Sequence, residues 1–108
     1  MREELVQVQT TLATAGAAAE LAQMILDARL AACVQQYPIQ SMYHWQGKQE
    51  NTAEIALTAK TRATLAAQLV DFIKQHHPYA VPEILVLPVL ASHPAYRQWV
   101  CAETGGAP

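Results

Sequence analysis

Apolar and polar residues alternate near the start of the chain, as they do along a half-buried strand. Between Leu5 and Leu12 one set of positions is mostly apolar and the set between them is polar: Val6, Val8, Thr10 and Leu12 against Gln7, Gln9 and Thr11. This period of two predicts a first strand. After Thr14 and Gly16 the spacing becomes helical, which predicts a first helix through Leu21, Met24, Ile25, Ala28 and Ala32.

The middle of the chain predicts a long hairpin. Residues Cys33 to Trp45 are mostly β-branched, aromatic or polar, so we expect a long strand with a bend or bulge near Pro38. The polar, glycine-containing stretch from Gln46 to Thr52 predicts the hairpin loop, and alternation from Glu54 to Thr61 predicts a third strand. At roughly 3.3 Å per residue these strands are longer than a domain of this size, so the hairpin must project.

The second half of the chain predicts a helix, a strand and a short last helix. The second helix carries Leu65, Leu69, Phe72 and Ile73 on one face. It must end in His76-His77, because Pro78 disfavours a helical residue before it. The apolar run from Ile84 to Leu90 predicts a fourth strand, placed at a sheet edge by Pro88, which has no N–H to donate. Pro94 then begins a helix with Tyr96, Trp99 and Val100.

The predicted order is β-α-β-β-α-β followed by a helix, which is the α+β order of a ferredoxin-like sheet with helices on one face. We expect a single domain over residues 1–103 and a flexible tail over residues 104–108. The projecting hairpin and the edge strand leave backbone groups unpaired. A ring of subunits would cover them, so the pattern favours a closed oligomer.

Composition limits the kinds of binding partner and the cell compartment that we expect for this chain. Charged residues make up 15% of the 108 residues, against about 25% in a typical domain, which also favours a surface partly hidden in an oligomer. The net charge of −2 provides no electrostatic basis for binding nucleic acid or an anionic membrane. No apolar run approaches the about 20 residues of a membrane span. Two cysteines outside any CxxC pair and the lack of a signal peptide favour a reducing cytoplasm.

Five stretches resemble one known family, the CutA divalent-cation tolerance proteins: RLAACV at Arg29–Val34, SMYHWQGK at Ser41–Lys48, KTR at Lys60–Arg62, HPYAVPEILVLPV at His77–Val89 and YRQWV at Tyr96–Val100. The resemblance implies a tight homotrimer whose long hairpin reaches a neighbouring subunit, and it implies copper binding. It also implies an architecture similar to PII-type signalling proteins, which bind small effectors between subunits. The chain departs from the family pattern at residues 13–16, which are not acidic, and at Ala80, where a carboxylate is usual.

Copper favours imidazole and thiolate ligands, and the chain offers six such residues: Cys33, Cys101, His44, His76, His77 and His93. None of them forms HxxxH, HExxH or CxxC, so a site must be assembled across segments or subunits. Cys33 matches the cysteine of the family's AAC and is the leading candidate, with a small buried core residue as the alternative. His44 is the second candidate, with a surface hydrogen-bonding role as the alternative.

A separate polar set predicts a ligand cleft. The set provides an aromatic wall, two carboxylates, an ammonium and a phenol: Trp45, Glu54, Lys60, Tyr79 and Glu83. Glu54 and Lys60 share one face of a strand but lie about 20 Å apart, so contact between them requires two subunits. The alternative role of this set is a salt-bridge network that sets the register of the trimer.

The sequence therefore favours a non-enzymatic homotrimer that binds copper or another divalent cation and takes part in metal tolerance. Neither a catalytic triad pattern nor a glycine-rich phosphate loop is present to support an enzyme. The first alternative is a PII-like trimeric sensor that binds a small molecule in inter-subunit clefts. The second is a purely structural trimer whose polar cleft residues specify assembly.

Overall fold

The computed structural model describes residues 4–105, which form one four-stranded antiparallel sheet and three helices. The elements in chain order are β1 (Leu5–Leu12), α1 (Ala15–Asp27), β2 (Cys33–Trp45), β3 (Lys48–Arg62), α2 (Ala66–His76), β4 (Ile84–Pro88) and α3 (Pro94–Glu103), with a 3₁₀ turn at Ala63–Leu65. The strand order across the sheet is β2-β3-β1-β4. The predicted ferredoxin-like order with a last helix is confirmed.

The hydrophobic core lies between one face of the sheet and the helices α1 and α2. Its central side chains are almost wholly buried: Val8, Leu12, Ile25, Leu57, Leu69 and Ile73. The other face carries Gln7, Lys60 and Cys33, which are paired in register across β1, β3 and β2 and therefore point the same way. Helix α3 packs on this second face, since Tyr96 lines a cavity with Gln7 and Lys60.

Strands β2 and β3 pair without interruption, so of the bend or bulge predicted near Pro38 the bulge is wrong. The register runs from Cys33 opposite Lys60 to Trp45 opposite Lys48, and Pro38 lies opposite Ile55 in the same ladder. The physical reason is that β2 is an edge strand with a single neighbour. Alternate N–H groups of an edge strand point away from the sheet, and a proline at such a position costs no ladder hydrogen bond.

The hairpin turn is shorter than predicted. Only Gln46 and Gly47 form it, with φ of 50° and 79°, and β3 already begins at Lys48. Two residues with positive φ make the type I′ turn that matches the twist of paired strands. The polar residues from Lys48 to Thr52, predicted as loop, are strand residues of a hairpin that is largely solvent-exposed, so their polarity does not distinguish strand from loop.

The hairpin projects from the body of the domain, as its length predicts. The chain measures 47 × 27 × 21 Å along its principal axes. Its radius of gyration is 14.5 Å, against about 13 Å for a compact domain of 100 residues. The far end of the hairpin therefore gains little support from the core of its own chain.

Helix α1 ends at Asp27, although helical spacing was predicted through Ala32, and β4 stops two residues before the predicted Leu90. The other boundaries follow the sequence closely. Helix α2 ends at His76, β4 is an edge strand that ends at Pro88, and α3 begins at Pro94. Thr104, predicted to begin the flexible tail, is buried, and its Oγ1 donates to the carbonyl of Val100 at 2.7 Å. The packed chain thus includes Thr104, while residues 106–108 of the predicted tail lie outside the described residues. Over the described part, no helix has the length and apolar character needed to cross a membrane.

Candidate functional site

A groove of about 890 Å³ lies between the hairpin and the segment that leads from α2 into β4. Its walls come from the end of β1, from both hairpin strands and from the segment before β4, residues 77–83, which we call the β4 approach. The lining residues are Thr11, Ala13, Gln40, Ser41, Met42, Tyr43, Trp45, Thr52, Ala53, Glu54, Tyr79, Ala80, Val81 and Glu83. Small-molecule sites usually have volumes of about 300–1,000 Å³. The groove therefore has the size of a small-molecule site.

The pairing of β2 with β3 brings aromatic and acidic side chains to one face of the hairpin. Ile39 lies opposite Glu54, and residues four and six positions further along β2 share its side of the sheet. Tyr43 and Trp45 are therefore on the same face as Glu54. Both rings remain 42% and 44% exposed, respectively, so the chain leaves much of their surface free for another contact.

His77 fixes the segment that forms the opposite wall. The backbone N–H of Tyr79 donates to His77 Nδ1 at 3.1 Å. Since Nδ1 accepts, the ring proton lies on Nε2, which donates to the carbonyl of Thr11 at 2.8 Å. The rings of His77 and Tyr79 also meet edge to face, with centroids 4.8 Å apart. The imidazole thus ties Tyr79 to the end of β1.

Tyr79 and Glu54 join the two walls of the groove. The phenol Oη donates to Glu54 Oε2 at 2.8 Å. Burial of the phenol raises the pKa of Tyr79 to about 12, and the hydrogen bond and negative charge of Glu54 act in the same direction. At neutral pH the phenol is therefore a proton donor to the carboxylate. On the same side of the groove, Glu83 Oε2 accepts from Gln9 Nε2 at 3.1 Å.

Four of the five residues predicted to form a cleft line this groove: Trp45, Glu54, Tyr79 and Glu83. Lys60 does not. Its ammonium donates to Gln35 Oε1, and it lines a second cavity of about 240 Å³ beside Tyr96. Within one chain Lys60 and Glu54 stay apart, as strand spacing predicted, and a cleft that unites them across subunits stays a prediction.

The two predicted metal ligands lie at opposite ends of β2. Cys33 and His44 are eleven residues apart, which is about 36 Å along a strand, and an odd separation places them on opposite faces. Residues 4–105 contain no cluster of three or more His, Cys, Asp or Glu side chains able to hold a metal ion. A site that uses both residues therefore needs more than one subunit, which stays a prediction.

Cys33 is neither fully buried nor disulfide-bonded. It lies beside the Tyr96 hydroxyl, whose pKa is raised by burial and by its electrostatic interaction and hydrogen bond with Cys33. His44 is exposed on the hairpin. Ala80 occupies the position where a carboxylate is usual in the family that the sequence resembles, and it contributes only a methyl group to the groove wall.

Sequence reasoning missed several residues that form the groove. Tyr43 was the easiest of them to predict from the sequence, because it lies two positions before Trp45 on a strand and must share its face. Thr11, Met42 and Val81 carried no such signal, since their placement depends on how distant segments pack. His77 was considered only as a metal ligand, whereas both of its ring nitrogens make hydrogen bonds within the chain.

The chain is similar to proteins of one family over most of its length. Protein CutA of Mus musculus is 42% identical over 84 residues, which are 77% of this chain and 48% of the relative. The chain thus spans about half the length of that relative. The divalent-cation tolerance protein CutA of Salmonella newport is 39% identical over 100 residues, covering 92% of this chain and 87% of the relative.

Solved structures agree with the sequence comparisons. CutA from Synechococcus elongatus has a TM-score of 0.92 at 40% identity, covering 95% of this chain and 92% of that chain. The periplasmic divalent cation tolerance protein CutA of Archaeoglobus fulgidus has a TM-score of 0.86 at 31% identity, covering 89% and 94%. The family model described as CutA1 divalent ion tolerance protein matches residues 6–103. Since this match includes every strand and helix except the first residue of β1, the chain belongs to the CutA1 divalent ion tolerance protein family.

Proposed function

We propose that this chain is a non-enzymatic homotrimer that binds copper or another divalent cation and takes part in metal tolerance. The observation that carries the proposal is the family match over residues 6–103. The Salmonella relative, named for divalent-cation tolerance, supports it because 92% of this chain aligns with it. Within the described residues the groove lining includes neither a Cys nor a His that could activate its Ser and Thr hydroxyls, which supports a binding role over nucleophilic catalysis.

Ligand geometry supports a metal site shared between subunits. Copper prefers thiolate and imidazole ligands, and Cys33 and His44 cannot reach one ion within a single β2 strand. In a homotrimer the hairpin of one subunit can bring its His44 to the body of another. Such a site would bind copper only in the assembled protein.

Native mass spectrometry tests assembly and metal together. Protein isolated without tags or chelators should appear as a trimer that retains copper, and a monomer would contradict the proposal. Calorimetric titration with Cu²⁺ should then show that Cys33→Ala lowers the affinity at least about tenfold, since loss of even a residue that only orients a ligand costs about that much. Cys101→Ala, a second free and partly buried cysteine, is the matched control. Unchanged affinity in Cys33→Ala would reject this residue as a ligand.

A second function is favoured by the groove itself. Its volume of about 890 Å³ and its mixture of aromatic and polar walls support a PII-like sensor that binds a small molecule. In a trimer the hairpin wall would contact a neighbouring subunit and relay occupancy. Native mass spectrometry separates the two functions, since an organic mass retained in place of copper supports the sensor.

The compartment we propose is the cytoplasm. Both cysteines are free and only partly buried, which suits a reducing environment. Fractionation of the source cells with an antibody against the chain tests this, and recovery from a periplasmic fraction would contradict it.

A further inference from the structure

The groove combines aromatic and acidic side chains without a basic one. Three rings and two carboxylates line it: Tyr43, Trp45, Tyr79, Glu54 and Glu83. Among the described residues that form its walls there is no Lys, Arg or His. The charged side chains of these walls are therefore both carboxylates, which favours a cationic ligand over an anionic one. Lys48 pairs with Trp45 in the ladder and lies outside these walls.

The carboxylates keep free capacity for a cationic ligand. Glu54 accepts one hydrogen bond from Tyr79 and Glu83 accepts one from Gln9. An ionised carboxylate has about four lone-pair sites, so each group can accept further hydrogen bonds. The ion pair found within residues 4–105 joins Arg29 to Glu103 and involves neither groove carboxylate.

The aromatic and aliphatic walls distinguish an organic cation from a metal ion. The faces of Trp and Tyr rings attract ammonium groups through the negative potential of the ring face. Val81 lines the groove and is 69% exposed, so it offers apolar surface to the rest of a ligand. A hydrated metal ion gains nothing from these walls, whereas an amine that carries an apolar group uses all of them.

We infer that the groove binds a small organic cation, a protonated amine attached to an apolar or aromatic group. The ammonium donates to Glu54 and Glu83 and lies against the face of Trp45, and the apolar group contacts Val81 and the ring of Tyr43. This inference rests on the proposed sensor function of the groove and specifies the chemical class of its ligand.

Three probes of one shape and different charge test the inference. The Trp99→Phe variant leaves Trp45 as the single tryptophan, so its fluorescence reports occupancy of the groove. The assembled protein is titrated at pH 7 with 2-phenylethylamine, with the neutral 2-phenylethanol and with the anionic 3-phenylpropionate. The amine should bind about tenfold more tightly than the alcohol, from the cation–π contact and charge-assisted hydrogen bonds. The anion should bind most weakly.

Matched variants locate the contact, with calorimetry as the readout. Trp45→Leu and Glu83→Gln should each weaken amine binding at least about fivefold, the loss expected for one cation–π contact or one charge-assisted hydrogen bond. Glu83→Gln should leave binding of the alcohol unchanged. Trp99→Leu is the control for Trp45, since both rings are 44% exposed and Trp99 lies on α3. Glu20→Gln, on the exposed side of α1, is the control for Glu83.

The outcomes separate this inference from the functions on which it depends. Equal affinity for amine and alcohol, or preference for the anion, would overturn the cationic class while leaving a small-molecule groove. Absence of binding by all three probes would overturn both. Amine binding that survives Trp45→Leu but is abolished by Cu²⁺ would assign the carboxylates to the metal instead and overturn the inference.

Discussion

At the scale of single residues, Tyr79 holds the groove together. Its hydroxyl donates to Glu54 on the hairpin, and its backbone N–H donates to His77, which is itself bonded to the end of β1. Together these contacts connect the hairpin, the β4 approach and the end of β1, which are far apart in sequence. We therefore expect Tyr79 to influence both the shape of the groove and the stability of the hairpin base.

Replacement of Tyr79 by Phe should lower stability in a pH-dependent way. The folded-state pKa of Tyr79 is about 12, above the ordinary 10.0. The neutral phenol donates the hydrogen bond, so its contribution is complete below pH 10 and is lost as the pH rises from 10 to 12. At pH 7 the free energy of unfolding should fall by about 1 kcal/mol, a modest value because the pair is partly exposed.

Urea unfolding at one protein concentration, at pH 7 and pH 11, measures this difference. Tyr37→Phe, at an exposed tyrosine of β2, is the control. A loss that is equally large at both pH values would show that the hydroxyl acts through packing rather than as a proton donor.

At the scale of elements, the hairpin turn decides which face the groove residues occupy. Side chains alternate along β2 and β3, so a register shift of one residue would move Trp45 and Glu54 to opposite faces. The two turn residues, Gln46 and Gly47, set the register through their positive φ values. The register of β2 against β3 is thus controlled at the tip of the hairpin, several residues away from Glu54.

Substitutions at the turn should act in opposite directions. Gly47→Ala places a Cβ at φ of 79°, which should destabilise the hairpin by about 1 kcal/mol. Gln46→Asn creates the Asn-Gly pair that type I′ turns prefer and should stabilise it by a few tenths of a kcal/mol. Amide hydrogen exchange along the hairpin measures both, because the tip can open without global unfolding. Faster exchange in Gln46→Asn would contradict a type I′ turn.

At the scale of the whole molecule, the face of the sheet opposite α1 and α2 is only partly covered. Leu85 and Leu87 lie on it, opposite Gln9 and Gln7 of β1, and remain 51% and 39% exposed. Tyr37 on β2 is 48% exposed on the same face. Burying apolar surface stabilises an assembly by about 25 cal/mol per Å², so this face is the natural site of contact in the proposed trimer.

Polar replacements on this face should dissociate the trimer. The double variant Leu85→Ser/Leu87→Ser should shift the protein from trimer to monomer, measured by light scattering after size-exclusion chromatography. Leu26→Ser on α1 is the control, because Leu26 is as exposed as Leu87 at 39% but belongs to the helical layer. A trimer that survives the double variant would place the interface elsewhere.

The elements and their order were readable from the sequence because their signals are local. The period of two in Leu5–Leu12, the helical spacing before Pro78 and the position of Pro88 each reflect the conformation of the residues that carry them. The local signals failed where both faces of a strand are exposed to solvent, because the alternation of apolar and polar residues is then absent. In Lys48–Thr52 both faces are polar, so a strand had the composition of a loop.

The candidate site was only partly readable, since proximity in space is not a local property. Four residues chosen from the sequence line one groove, but the contact of Tyr79 with Glu54 spans 25 positions and depends on how the β4 approach packs on the hairpin. Lys60 and His44 are separated from their expected partners by strand length and side-chain alternation. The sequence by itself determined the elements and the family, through local periodicity and motifs. Tertiary packing alone decided which side chains meet, because a groove forms from segments whose separation along the chain carries no information about their distance in space.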